Sequence, residues 1–434
     1  MSAHQSPAAA RRVFLTLTFT RWFPVGLIVG IMTLWPLERG LTVAETLSAT
    51  ALVGITVFAL ELPTSGFADA FGRRPVYVAS AVVSVVAGLA FYTATAWWQF
   101  AVAAVLTGVF RALDSGPLEA WFVDTVHESD PSADVDADLS AQGMLLGIGM
   151  AIGAVASGGL VWWHPLASQS ALLLPGIAYI VLGVVHLVAV LVLLTEPRAR
   201  VETGGFRRAL ASAHDTPVVV REGLGLLRHN RVLAGLVAVE LFWSAAMVVF
   251  ETFNPIRLSE LLGSEARAGA LMGPVAAAGW GVFALGAALS GLLSGRLGVV
   301  RTAVLARILN GLGALVMGLV AGPVALVAAY LVTYTLHGSA GPMHSALLHR
   351  EASARNRSTV LSMNSMIAFL SFSVTAALGG LLADRTSTGV AMSVIGGISM
   401  LGALCYLPAW RQERASRALC AAPAARSGVG QRGR

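Results

Sequence analysis

Long apolar runs alternate with short polar breaks from one end of this chain to the other. The runs lie at 13–37, 42–65, 75–95, 97–124, 138–163, 170–194, 231–254, 267–293, 299–321, 323–348, 358–382 and 387–409. Each is about 20 residues or longer, the length an α-helix needs to cross the hydrocarbon core of a bilayer. The pattern predicts an all-α membrane protein with twelve transmembrane helices. Most of the breaks are too short to hold a domain. The long one, 195–230, divides the chain into a tail at 1–12, a six-helix bundle at 13–194, a linker, a second six-helix bundle at 231–409 and a tail at 410–434. The linker stretch Val218–His229 reads as an amphipathic helix lying on the membrane, with Leu224, Leu226 and Leu227 turned to lipid, and the second tail reads as disordered.

Composition agrees. Hydrophobic residues make up 56% of the chain and charged residues 12%, with a mean hydropathy of +0.74; soluble proteins carry about 25% charged residues. The basic residues are all arginine. With both termini in the cytoplasm, the segments on that side hold 22 of the 29, the external loops hold Arg39, Arg257, Arg267 and Arg385, and the spans hold Arg21, Arg111 and Arg307. The positive-inside rule selects this orientation, so topology accounts for the net charge of +6 and no nucleic-acid partner is expected. Cys405 in the last run and Cys420 in the tail support neither a disulfide framework nor a metal site. The first run is too long for the core of a cleaved signal peptide.

The two halves repeat one another. Ser115-Gly116-Pro117-Leu118-Glu119 at the fourth run corresponds to Ala340-Gly341-Pro342-Met343-His344 at the tenth, and the same offset takes Gly66 to Gly291, just before Ser294-Gly295-Arg296-Leu297-Gly298. Parallel repeats enclosing a midplane site are a construction of secondary transporters.

The break after the second run reads Gly66-Phe-Ala-Asp69-Ala-Phe-Gly72-Arg73-Arg74-Pro75. Two glycines permit a tight turn, and a carboxylate beside arginines and the start of a helix can lock it. This segment resembles the signature loop between helices 2 and 3 of the major facilitator superfamily, with the likeness to drug:proton antiporters carried by the preceding Glu61-Leu-Pro63-Thr-Ser-Gly66. The resemblance implies two pseudo-symmetric six-helix bundles that rock about a central cavity. It also implies a latch for the outward-facing state, formed by Asp69, Arg73 and Asp124 with Gly66, Gly72 and Arg74. The family's usual basic residue after the Asp is Ala70 here.

Charges inside spans are costly unless paired or facing water, and so mark functional candidates. Arg111 lies about 20 Å from the cytoplasmic end of its run, near the midplane. Asp114, three residues on, shares its helix face and is an expected partner. The resemblance gives Arg111 a role in proton transfer, although the Gly expected four residues later is Ser115, with Gly116 following; a helix-stapling Arg–Asp pair is the other reading. Arg21 is about 12 Å deep and has Glu119 or Glu61 as candidate partners, as a proton-sensitive cluster or a static inner gate. Glu240 has Arg307 as a candidate partner, and Glu251 is read as structural, near water or Arg257. His337 and His344 are either titrating cavity groups or satisfied interior ones. Trp22, Phe23, Trp243, Phe250, Tyr330 and Tyr334 line an apolar cavity or face lipid. The glycines of the fifth run, Gly143 to Gly159, are explained by close packing; the Gly-Pro step of antiporters is absent, since Ala154 follows Gly153.

No phosphate-cradling loop, nucleophile elbow or metal-ligand spacing occurs. The expected protein is therefore not an enzyme and needs no cofactor. It is expected to be a monomeric, multi-pass plasma-membrane transporter that exports small amphipathic or apolar compounds in exchange for protons. Proton-coupled uptake of a metabolite is the alternative of the same class, and a non-transporting sensor or a membrane-embedded enzyme the alternative of another.

Overall fold

The computed structural model describes residues 6–65, 67–196, 218, 221, 223–352 and 356–415, without the side chains of Ser65, Asp69, Arg357 and Ser358. Twelve helices among them are long and apolar enough to span a membrane: α1 Pro7–Val29, α2 Val43–Thr64, α3 Arg73–Thr93, α4 Trp97–Ser129, α5 Asp136–Trp163, α6 Leu173–Leu193, α7 Arg231–Leu262, α8 Glu265–Leu297, α9 Val299–Leu319, α10 Pro323–Glu351, α11 Thr359–Arg385 and α12 Thr388–Ala415. The described chain contains no strand.

The expected spans all appear, with shifted ends. α1 starts at Pro7, where Ser6 accepts the Ala9 amide at the helix N-terminus. It stops at Val29, and the apolar residues beyond it fold into a separate short helix, Leu34–Glu38. α12 runs on through Ala415; the remainder of the tail lies outside the described residues. Residues 223–229 of the linker are helical. Leu226 and Leu227 pack against the apolar core of the second half and Leu224 is exposed, so only one of the three leucines expected to face lipid is free to do so.

Two helix pairs join the halves, α2 with α11 and α5 with α8. The second pair explains glycines of the fifth run. A Cβ on Gly158 would fall 2.6 Å from the Ala270 carbonyl oxygen, and one on Gly273 would fall 2.5 Å from that of Ala154. Only a side chain of hydrogen lets these backbones meet.

Call the end of the bundle that carries both ends of the described chain the terminal face. At the opposite face one apolar core runs through both halves, uniting Ile31, Leu34 and Trp35 with Phe250, Phe253 and Met392. The Leu34–Glu38 helix packs there on α8 and on the end of α7. The Asp384 carboxylate accepts the Ala44 amide across the same junction at 3.3 Å. At the terminal face each half keeps its own core: Phe14, Tyr77, Trp121 and Phe122 in the first, Leu233, Leu236, Leu347 and Tyr406 in the second. The halves are welded at one end and packed separately at the other.

Candidate functional site

The signature loop turns on Gly72, whose φ of 97° is a left-handed conformation suited to glycine. The first turn of α3 then presents its backbone N–H groups to Glu196, just past the end of α6. Glu196 Oε1 accepts from the Arg73 amide and Oε2 from the Arg74 amide, both at 2.9 Å. A carboxylate at a helix N-terminus satisfies orphan donors and opposes the positive end of the dipole. Arg73 Nε lies 3.6 Å from Asp124 Oδ2, the expected partner, while Arg74 donates instead to the Leu191 carbonyl at 2.9 Å. Gly66 lies outside the described residues. Asp69 falls in the short helix Phe67–Phe71, its side chain likewise undescribed. The described contacts thus tie α3, α4 and α6 of the first half together. Sequence reasoning placed Glu196 in the linker and missed it; its one signal was a carboxylate directly after the last apolar residues of a span.

Inside the first half, the expected pairings are redrawn. Arg21 pairs with Asp114: Nη2 lies 2.9 Å and Nε 3.1 Å from Oδ2. The guanidinium also sits 4.3 Å from the Phe110 ring centre. Asp114 therefore is not the partner of Arg111, and neither Glu61 nor Glu119 is the ion-pair partner of Arg21. The reason is a break in α4. The chain leaves the helix at Ser115 and turns through Gly116 at φ 93°, so Asp114 closes the first segment facing α1. Glu119 belongs to the second segment, where Gln142 of α5 donates to it at 2.8 Å. Thr18, Arg21, Tyr77, Asp114, Glu119 and Gln142 line a cavity of ≈ 130 Å³.

Arg111 points elsewhere. It is exposed although it lies mid-span, and its guanidinium stands 5.3 Å from the ring centre of Phe369 on α11, in the other half. Glu61 of α2 interacts electrostatically with Arg111 and lies beside Ser365, also on α11. A charge at that depth, against a residue of the opposite bundle, is a functional candidate at the junction of the halves.

The second half buries its own cluster. Glu240 takes the Asn364 amide at 2.9 Å and lies 3.3 Å from His344 Nε2; His344 Nδ1 meets the Tyr406 hydroxyl at 3.1 Å. Arg307 is not the partner of Glu240. It is 1% exposed, its three guanidinium nitrogens have no hydrogen-bond partner among the described residues, and it lies 4.2 Å from the Trp243 ring centre. Trp243 donates its indole N–H to His337 Nδ1 at 2.9 Å. The sequence repeat aligned His344 with Glu119, yet His344 is fully enclosed and Glu119 exposed. The repeat survives at the level of helices: Arg21, Tyr77 and Asp114 come from the first, third and fourth helices of one half, and Glu240, Arg307 and His344 from the same three of the other.

Glu251 departs from its expected place as well. Arg257 pairs with Glu260 at 3.0 Å, while Glu251 accepts the Tyr334 hydroxyl at 2.6 Å. Of the aromatics expected to line a cavity or face lipid, Phe250, Tyr330 and Tyr334 are buried together and Trp22 borders the first-half cavity.

Solved structures share this fold. A nucleoside transporter, NupG, is similar at 13% identity and a TM-score of 0.71, over 92% of this chain and 98% of that one. A POT family transporter in complex with 5-aminolevulinic acid is similar at 13% identity and 0.65, over 92% and 95%. At such identity the likeness is one of fold. No curated protein sequence matches the chain. The family profile described as Major Facilitator Superfamily matches residues 14–348. Twelve spans in two halves, a charged turn after the second span, and buried ionic clusters repeated between the halves agree with that match, and the chain belongs to the Major Facilitator Superfamily.

Proposed function

We propose that this transporter exports small amphipathic or apolar compounds in exchange for protons, by rocking of its two halves. The observation that carries the reading is Arg111: a charged side chain exposed at mid-span, with Glu61 in electrostatic reach and Phe369 of the other half against it. A carboxylate beside an arginine stays ionised while the pair is intact and takes a proton when it separates. Because Glu61 and Arg111 both abut α11, relative motion of the halves changes their surroundings, which is what coupling a proton to a conformational change requires. The arginine bias supports a reading with the terminal face and both ends in the cytoplasm, and the proposed export places the protein in the plasma membrane. In that orientation the separately packed cores lie on the cytoplasmic side, as in a transporter open inward. The reading takes the monomer as the working unit.

The test is reconstitution in liposomes containing a pH-sensitive dye, with an imposed proton gradient and a panel of lipophilic compounds. Export by antiport predicts compound-dependent proton movement opposite to the compound, abolished in Arg111→Ala. Movement of both in the same direction would establish symport and overturn the export reading. Flux with unchanged pH dependence in Arg111→Ala would leave Arg111 a structural residue.

A further inference from the structure

One carboxylate of the second half stands outside both ionic clusters. Glu251 lies in the π-helical turn Val248–Phe253 of α7, an irregularity that recurs at functional sites. Its Oε1 accepts the Tyr334 hydroxyl, and no described hydrogen bond uses Oε2. Among the described residues no basic side chain forms an ion pair with it: Arg257 is held by Glu260, and Arg307 lies against Trp243.

The tyrosine that Glu251 accepts from sits in a cluster of aromatic rings. Tyr334 is flanked by Tyr330 at 5.0 Å, Phe250 at 5.7 Å, Phe283 at 6.1 Å and Trp280 at 6.3 Å between ring centres. Phe250, Tyr330 and Tyr334 are buried, whereas Trp280, Phe283 and Glu251 itself keep partial exposure. The faces of such rings attract cations, most strongly when water is excluded. A partly exposed carboxylate without a basic partner adds the same sign of preference. A neutral ligand can gain a hydrogen bond from the carboxylate but no charge attraction, and an anion is repelled by it.

We propose that Glu251, with Tyr330, Tyr334, Phe250, Trp280 and Phe283, recognises the positively charged head of an organic cation. A primary ammonium needs several acceptors for its three N–H groups. The carboxylate and two phenol oxygens supply such acceptors, and the five rings add faces that a substituted, lipophilic head can also meet. Phe250, Tyr330 and Tyr334 also belong to the apolar core that welds the halves at the face opposite the termini. A cation bound here touches the elements that must part for that face to open. The inference deepens the export reading by naming its substrate class, and rests on that reading only for the movement of the bound cation.

The test is saturation binding of radiolabelled tetraphenylphosphonium to the full-length protein in lipid nanodiscs, with tetraphenylborate, an anion of the same shape, as competitor. The expected result is saturable binding of the cation that the borate does not displace. Glu251→Gln, which keeps the volume and an acceptor for Tyr334, should weaken it at least tenfold; Trp280→Ala and Tyr334→Phe should weaken it severalfold. Each variant is first checked by gel filtration and thermal unfolding. Should Glu251→Gln fail to fold, the charge discrimination in the wild type and the two ring variants decide alone. Displacement by borate at equal strength, unchanged affinity in Glu251→Gln, or no saturable binding by the wild type would each overturn the site. Binding needs no proton gradient. Proton flux in liposomes without cation binding would therefore remove this site and leave coupled transport standing, and cation binding without flux would do the reverse.

Discussion

The carboxylate of Glu196 lies across the first turn of α3, with the backbone N–H of Arg73 2.9 Å from its Oε1. With the matching bond to Arg74, it makes the end of α6 the cap of α3. The turn at Gly72 depends on this cap sterically too, because a Cβ there would sit 2.9 Å from Glu196 Oε2.

Glu196→Ala is expected to destabilise the first half by about 1–2 kcal/mol, the scale of a lost cap reinforced by the helix dipole. Glu196→Gln, keeping one acceptor, should lose less. Thermal unfolding in nanodiscs measures both, and an unchanged transition for the Ala variant would show that the cap contributes nothing to stability.

Removing one partner of the Arg21–Asp114 pair should be costly, since the side chains are 9% and 16% exposed. Asp114→Ala strands a buried guanidinium and is expected to cost about 3–5 kcal/mol. The double variant Arg21→Met, Asp114→Leu removes both charges and should recover most of that loss. A double-mutant cycle on unfolding free energy tests this; additive losses would mean that the two residues do not act as a pair.

Arg307 predicts the opposite sign. It is a buried cation without a described hydrogen-bond partner, so Arg307→Met should be neutral or raise stability, by up to about 1–4 kcal/mol. Transport should fall in the same variant if the charge serves the cycle. A lower unfolding temperature for Arg307→Met would show that the guanidinium is compensated in the native state.

Neighbouring glycines of α5 should behave differently. Gly158→Val drives a side chain into the Ala270 carbonyl across the junction of the halves and is expected to cost about 1–3 kcal/mol. Gly159, with nothing within 4 Å of an added Cβ, should accept Val. Equal effects in thermal unfolding would mean that α5 and α8 do not need their close approach.

The fold was legible because a membrane leaves little choice. Runs of about 20 apolar residues must become helices when lipid offers no hydrogen bonds, so all twelve spans could be placed from hydropathy, and the halves from one offset in the repeat. The Arg73–Asp124 contact was legible through the family resemblance of the turn after α2, and the two groups lie 3.6 Å apart.

Partners within the spans were not legible, and the errors share a cause. Helical periodicity states which residues of one helix share a face, but not which neighbouring helix that face meets. Arg111 and Asp114 sit three apart, yet the break at Ser115 and Gly116 aims Asp114 at Arg21 of α1 while Arg111 faces α11. Glu240 and Arg307 carry opposite charges at compatible depths, yet packing gives Glu240 to His344 and Asn364 and leaves Arg307 to an indole face. Glu196 capping α3 and Glu251 among aromatic rings depend on contacts more than 80 residues apart in the chain. The sequence by itself determined the spans, the two halves and the inventory of buried charge. Which charges neutralise one another, and which remain for a ligand, was decided only when tertiary packing set the rotation of each helix against its neighbours.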